Sequence, residues 1–437
     1  MSRSPAPMPF LDALREAGEL RLPGSGLAWL DAARRENLEA FIAAGLPDTR
    51  AEAWKYTALR ALGQRRFALG DAAAATHPVD PYALTLPGID GPRLVFVNGV
   101  FRADLSRLES LPPGLSLQPL SQVLANDPEP LRFALSRHYR EAGDAFARLN
   151  AALAGDGVVL RVAPGARIGK PIHLCFAGVP AQGDVAWHLR NVIELGEGAE
   201  LDLVEHHLAT ARHQHLGTLV SEIVARDGAK LQHTLLQNAG DESTLIRRGS
   251  VRLGAKAQAM LHVLELGAAL TRHDLHAELH GDGARFDTRG VFVLRGRQHA
   301  DTQLSIHHQA LDTASESIWR GVADERSRGV FRGAIVVAQG ADGSDASLNN
   351  KNLLLSPLAE IDTKPELEIY ADEVKAAHGA TVGQLDERAL FYLRSRGLPQ
   401  AEARALLTAA FCRAVFVALP NETLRDHFSD TLLAHLP

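Results

Sequence analysis

Cysteine is nearly absent from this sequence of 437 residues: there are two, Cys175 and Cys412, far apart along the chain. Two thiols cannot staple a disulfide framework, and without a CxxC pair there is no zinc ribbon or dithiol redox motif. Aromatic residues make up only 5%, so the core must be filled by Ala, Leu and Val. A basic excess is missing as well. The net charge is −6, whereas a nucleic-acid backbone as main partner requires a basic stripe. No apolar run reaches membrane-spanning length, and Met1 to Arg15 lacks the apolar stretch of a signal peptide. The cytoplasm is therefore the expected location.

What is present is the ordinary balance of a soluble globular protein, 46% hydrophobic and 22% charged, in a chain long enough for two or three units. Three zones separate by pattern. From Pro9 to about Gly63, apolar residues recur at helical spacing: Phe10, Leu11 and Leu14, then Leu27, Leu30, Leu38, Phe41 and Ile42. Breakers stand at Pro23-Gly24 and at Gly45 to Asp48. A mixed stretch follows to about Asn150, with one strand-like run, Arg93 to Val97, closed by the turn pair Asn98-Gly99. From about Gly155 to Gly383 the period changes to two, and short apolar runs are punctuated by a recurring Gly-Ala step. Gly165, Gly198, Gly228, Gly254 and Gly283 mark it, 33, 30, 26 and 29 residues apart. A loose repeat of strands and corners suits a β solenoid, because one coil cannot bury its apolar face alone and stacking supplies the core. A β-sandwich or several β domains would need tight hairpin signals, which this stretch lacks. Helical spacing returns after Gly383 in Ala389, Leu390 and Leu393, then Ala403, Leu406, Leu407, Ala410, Phe411 and Ala414. Gly397-Leu398-Pro399 splits these into two helices, and Glu422 to Leu433 makes a third. The expected organisation is a helical and mixed region over 1–150, a solenoid core over 151–384 and a helical region over 385–437.

Several candidates for chemistry have a plainer reading. Gly165 to Pro171 resembles a phosphate loop but has three residues between its glycines instead of four, and proline where a hydroxyl is needed; it reads as a solenoid corner. His276, Glu278 and His280 would share one face of a strand and could hold a metal, but such a strip is more often the wet side of a half-buried strand. His206, His207, His213 and His215 form a second cluster of the same kind. No Gly-x-Ser-x-Gly elbow is present for serine hydrolysis. Cys175, in the apolar run Ile172 to Phe176, and Cys412, beside Phe411, read as buried packing thiols. His378, next to Gly379, follows the strand-like Leu367 to Tyr370 and an acidic turn; on its own it reads as a satisfied polar residue.

The longest specific signal lies around that histidine. Lys364-Pro365-Glu366-Leu367-Glu368-Ile369-Tyr370, His378-Gly379-Ala380-Thr381-Val382-Gly383 and Phe391-Tyr392-Leu393-Arg394-Ser395-Arg396-Gly397 closely resemble the SufB/SufD family of iron–sulfur cluster assembly scaffolds. Arg50 to Thr57 looks like a motif of the SufD side, and Phe146 to Asn150 through Val158 resembles the family's entry into its β-helix. Gly379 after His378, and the absence of a cysteine and a His-Glu pair in this region, favour the SufD side.

The resemblance implies a mainly β fold, a right-handed parallel β-helix core flanked by helical regions. It implies a non-catalytic subunit that pairs with SufB through the β-helix ends and binds the ATPase SufC through helices at about Asp386 to Phe416. Phe391, Tyr392, Arg394 and Arg396 are the matching SufC-side residues. His378 matches the histidine at the SufB junction, where a transient iron–sulfur cluster forms and imidazole is a reasonable iron ligand. Ala376 stands where SufD chains often carry a cysteine, so thiolates would come from SufB. No cofactor is expected to rest stably on this chain alone, and the resemblance leaves open whether a flavin joins the complex. Two other readings remain: an exported-type β-helix enzyme acting on polysaccharide, against which the missing leader counts, and a homodimeric scaffold working without SufB.

Overall fold

The computed structural model describes residues 8–16 and 20–436; Met1 to Pro7, part of the start that was searched for a leader, lies outside them. Two ten-stranded sheets dominate, and they alternate along the chain. The N-terminal region supplies β1 (Ala68–Leu69), β2 (Arg93–Val97), β3 (Val100–Phe101) and β4 (Leu115–Pro119). The coils then run through β5 (Val158–Val162), β6 (Ile172–Gly178), β7 (Val185–Leu195), β8 (Glu200–Ala209), β9 (Leu216–Ala225), β10 (Lys230–Asn238), β11 (Thr244–Leu253) and β12 (Gln258–Glu265). They continue through β13 (Leu270–Leu279), β14 (Arg285–Leu294), β15 (His299–His308), β16 (Ala314–Ala323), β17 (Arg328–Val337), β18 (Asp345–Leu354), β19 (Glu360–Ile369) and β20 (Lys375–Gly383). Odd strands from β5 to β19 pair in parallel in one sheet, and even strands from β6 to β20 in the other. This is the expected parallel β-helix, with about eight turns.

Alternation drives the coil. In β16, Ser315, Ser317 and Trp319 are buried while Glu316, Ile318 and Arg320 are only partly so. Leu203, Leu231, Leu261, Phe286 and their counterparts on the other sheet stack coil on coil into one continuous core. The corners repeat too. Residues 165, 198, 228, 256, 283, 312 and 343 all take positive φ. Each donates its backbone N–H to a carbonyl in the next coil, Gly198 to Asp227, Gly228 to Ala255, Lys256 to Asp282. Glycine fits four of the corners named from the sequence, but the fifth falls at Lys256 (φ 56°) and not at Gly254, which stands two residues earlier.

The N-terminal region wraps the first coils and reaches along the odd sheet as far as β19, where Lys364 donates to Glu52 at 2.6 Å. Its helices are α1 (Pro9–Glu16), α2 (Ala28–Ala44), α3 (Arg60–Gly63), α4 (Leu120–Asn126), α5 (Arg132–Leu135) and α6 (Ala145–Leu153). Asn98-Gly99 makes the β2–β3 hairpin as the pair predicts, with φ of 43° and 80°. Within α6, the Asn150 amide donates to the Leu189 carbonyl at 2.9 Å and to Thr218 at 3.0 Å, fixing the helix against β7 and β9. The Arg50 to Thr57 motif is a clamp. Trp54 is fully buried with the Arg272 guanidinium 3.9 Å above its ring, and the Thr57 hydroxyl donates to Asp301, which also holds Arg272 at 2.6 Å.

The C-terminal helices are α7 (Glu387–Ser395), α8 (Gln400–Arg413) and α9 (Glu422–His435). Cys412, Phe416, Leu424, Phe428 and Leu432 pack on the outward face of the even sheet, against Val204, Leu236, Leu264 and Val291. α7 stands apart from this packing, with Leu390 its buried residue.

Candidate functional site

The two ends of the coil stack differ. At the start, β4 runs antiparallel along β5, and β2 extends the other sheet with β3 antiparallel beyond it. Leu94, Phe96 and Leu117 from these strands are buried in the solenoid core. At the far end, β19 pairs with β17 and β20 with β18, and among the described residues neither has a strand on its other side. Unpaired edges of this length are templates for another chain.

His378 sits on that last coil. It lies in register with Leu348 of β18, whose side chain belongs to the core, so the imidazole occupies an inward-facing position that nothing covers, and it is exposed. Ala376 holds the same face one step earlier, opposite Ala346. Ile369 and Val382, each 43% exposed, form an apolar rim around the opening. Among the described residues His378 belongs to no converging group of three His, Cys, Asp or Glu ligand atoms. A metal there needs donors from elsewhere. The Ile369 and Val382 rim had no role in the sequence reading, although alternation along the two motif strands marks both as inward-facing.

Phe391 and Tyr392 on α7 are 73% and 56% exposed. Arg394 and Arg396 are exposed beside them, and the Arg396 guanidinium lies 5.2 Å from the Tyr392 ring centroid. A shallow groove runs past Phe391, Arg394, Leu398 and Pro399. The four residues named from the sequence thus lie exposed on α7 and at its C-terminal end.

The other candidates are buried in the fold or engaged by their neighbours. Gly165 is a corner at φ 70°. Cys175 and Cys412 are fully buried, and burial pushes both thiols up to about 12. His276, Glu278 and His280 do share a face, but Glu278 is engaged by Arg252 at 2.9 Å and by His280 at 3.1 Å. The cluster of four histidines divides. His207 points into the coil, stacked on Phe176, whereas His206 takes the opposite face by alternation, and His213 and His215 stack on each other beyond the strand.

Inside the coil is a polar layer that sequence reading missed. Glu205 accepts a hydrogen bond from His207 at 2.6 Å and faces His233 at 3.3 Å; Arg247 lies 3.7 Å from Glu205 and 3.3 Å from Glu265. Burial raises the Glu205 carboxyl, but hydrogen bonds from His207 and His233 outweigh it and hold the group well below its ordinary range. Glu265 goes the other way, pushed up by burial against the pull of Arg247. These residues come from β8, β10, β11 and β12, too far apart in sequence to be seen together.

A parallel solenoid with one closed end, one open end and an exposed helical surface is a protein of the β-solenoid class. Comparison with known proteins gives its family. Residues 179–411 match the model described as "SUF system FeS cluster assembly, SufBD core domain", and residues 16–174 match "SufBD protein N-terminal region". Iron-sulfur cluster assembly protein SufD of Escherichia coli is 31% identical over 405 residues, 92% of each chain. A SufBD family protein of Synechocystis is 32% identical, covering 87% of this chain and 85% of its own. SufD of Bacillus subtilis is 28% identical over 63% of each chain. The chain belongs to the SufBD family and is a SufD-type iron–sulfur cluster assembly protein. That places it apart from polysaccharide-active β-helix enzymes.

Proposed function

We propose that this chain is the SufD-type half of a heterocomplex, pairing through its open coil end with a SufB-type chain and holding a SufC-type ATPase on its C-terminal helices. The uncapped last coil carries the reading: two unpaired strand edges, an apolar rim and an accessible imidazole occur together there. Strand-edge pairing would supply backbone hydrogen bonds, and Ile369 and Val382 the apolar contact. His378 then offers a nitrogen to an iron–sulfur cluster carried as cargo, while thiolates come from the partner because Ala376 offers none. The chain itself performs no catalysis; ATP hydrolysis belongs to the SufC-type subunit, for which Phe391, Tyr392, Arg394 and Arg396 provide the docking surface. When the partner is missing, the same end serves a homodimer. The expected location is the cytoplasm, and a flavin is assigned no place on this chain.

Co-expression with the host's SufB- and SufC-type chains tests the reading. Val382→Asp is expected to lose the SufB-type partner and keep SufC, and Tyr392→Asp to do the reverse. Wild-type recovery of both partners by both variants would contradict it.

A further inference from the structure

On the outward face of the even sheet, beneath the N-terminal wrap, two imidazoles and a thiol converge. His173 and Cys175 project outward from β6, because Ile172, Leu174 and Phe176 between them face the core. Cys175 stands in register with His206 of β8. The His173 and His206 rings stack with centroids 5.7 Å apart, and one ligand atom from each of the three residues lies within 4.8 Å of the others. Cys175 is 0%, His173 1% and His206 6% exposed.

This is a poor place for neutral imidazoles to be left alone. His173 Nε2 and His206 Nδ1 are buried without a hydrogen-bond partner. Each unpaired buried group carries a desolvation penalty that a bound ligand removes. Leu84, Val95 and Leu105 pack around the thiol, and His427 of α9 is close enough to His206 to act on its basicity. Burial outweighs the pull of Arg93, in the strand next to β6, and keeps the Cys175 thiol protonated, so its proton must leave when a metal binds.

We propose that His173, Cys175 and His206 form a buried site for a borderline-soft divalent cation of the zinc class. One thiolate and two imidazoles are the donors such ions prefer, at about 2.3 Å for sulfur and about 2.0–2.1 Å for nitrogen, reached by small side-chain rotations. Binding exchanges the thiol proton for the metal, so the proton leaves to solvent as the sulfur–metal bond forms. The bound ion would tie β6 to β8 under the wrap, as a structural staple remote from His378. The site is independent of the proposed partner junction.

The full-length chain, stripped with chelator, is titrated with Co²⁺ and then Zn²⁺. The site predicts one Co²⁺ per chain with a thiolate-to-cobalt charge-transfer absorption, displaced by Zn²⁺. Cys175→Ala abolishes the band, Cys412→Ala and His378→Ala keep it, and His206→Gln lowers the affinity by more than about tenfold, the loss that even an outer-shell partner's removal brings. Absence of the band in the wild-type chain overturns the proposal without recourse to any variant. So does a band that survives in Cys175→Ala, which would put the thiolate elsewhere.

Discussion

The two ends of the β-helix are built from the same repeat yet finished differently. At the first coils, antiparallel β3 and β4 terminate the sheets, and Leu94 and Phe96 of β2 and Leu117 of β4 are buried in the core. At the last coil, β19 and β20 keep a free edge among the described residues, and the inward positions of His378 and Val382 lie open. Terminal repeats of a solenoid usually need a polar cap for solubility. This chain caps one end and leaves an apolar, unpaired rim at the other, the surface that the proposed pairing would use.

Truncation should separate the ends most sharply. Phe96 stacks on Phe176 with centroids 5.7 Å apart, so Phe96→Ala is expected to lower unfolding free energy by about 3–5 kcal/mol in urea melts. Ile369→Ala, on the open rim, should cost less than about 1 kcal/mol. Equal losses would erase the distinction. The pairing effect comes next. Val382→Asp places a charge on the rim, and titration calorimetry with a SufB-type partner should show affinity weakened by about 2 kcal/mol or more, with the melt unchanged.

Acid should weaken the coils that bury neutral histidines, in the capped half and beyond it. Burial holds His188, on β7, down at about 3, whereas in the unfolded chain it titrates near about 6.5. The unfolded state therefore binds the extra proton between those values. Stability supplied by the neutral ring is complete above about pH 6.5 and drains away as pH falls, by up to about 1.4 kcal/mol per unit. Urea melts at pH 7 and pH 5 should show the loss, and His188→Gln should make the slope shallower by one group's share, since burial also holds down His262, His276 and His308; an unchanged pH slope in that variant would remove the assignment. The smallest expected effect on folding belongs to His378→Ala, within about 0.5 kcal/mol for an exposed side chain. In a reconstituted complex the same variant should stay assembled while its cluster yield falls.

The coil architecture was legible because alternation and the corner glycines are local signals: Gly198, Gly228 and Gly283 do stand at corners. Lys256 was hidden by Gly254 nearby, since a corner that tolerates lysine leaves no glycine to read. His378 was found through the motif around it, and its exposure follows from lying on the last strand. Grouping His206 with His207 failed for a reason the sequence itself contained, because neighbours in a strand face opposite ways. The convergence of His206 on Cys175 depends on a register 31 residues long, and the Glu205–Arg247 layer on coils further apart still. Contacts across coils need the pitch of each corner, and that varies from one coil to the next.

Hydrogen exchange on β19 and β20, measured for the free chain and after adding a SufB-type partner, tests the central claim most directly. The edge amides of both strands should exchange quickly alone and become protected in the complex, while those of β5 and β6 stay as they were. A complex that forms with β19 and β20 still unprotected would show that the open end is not where the partner binds.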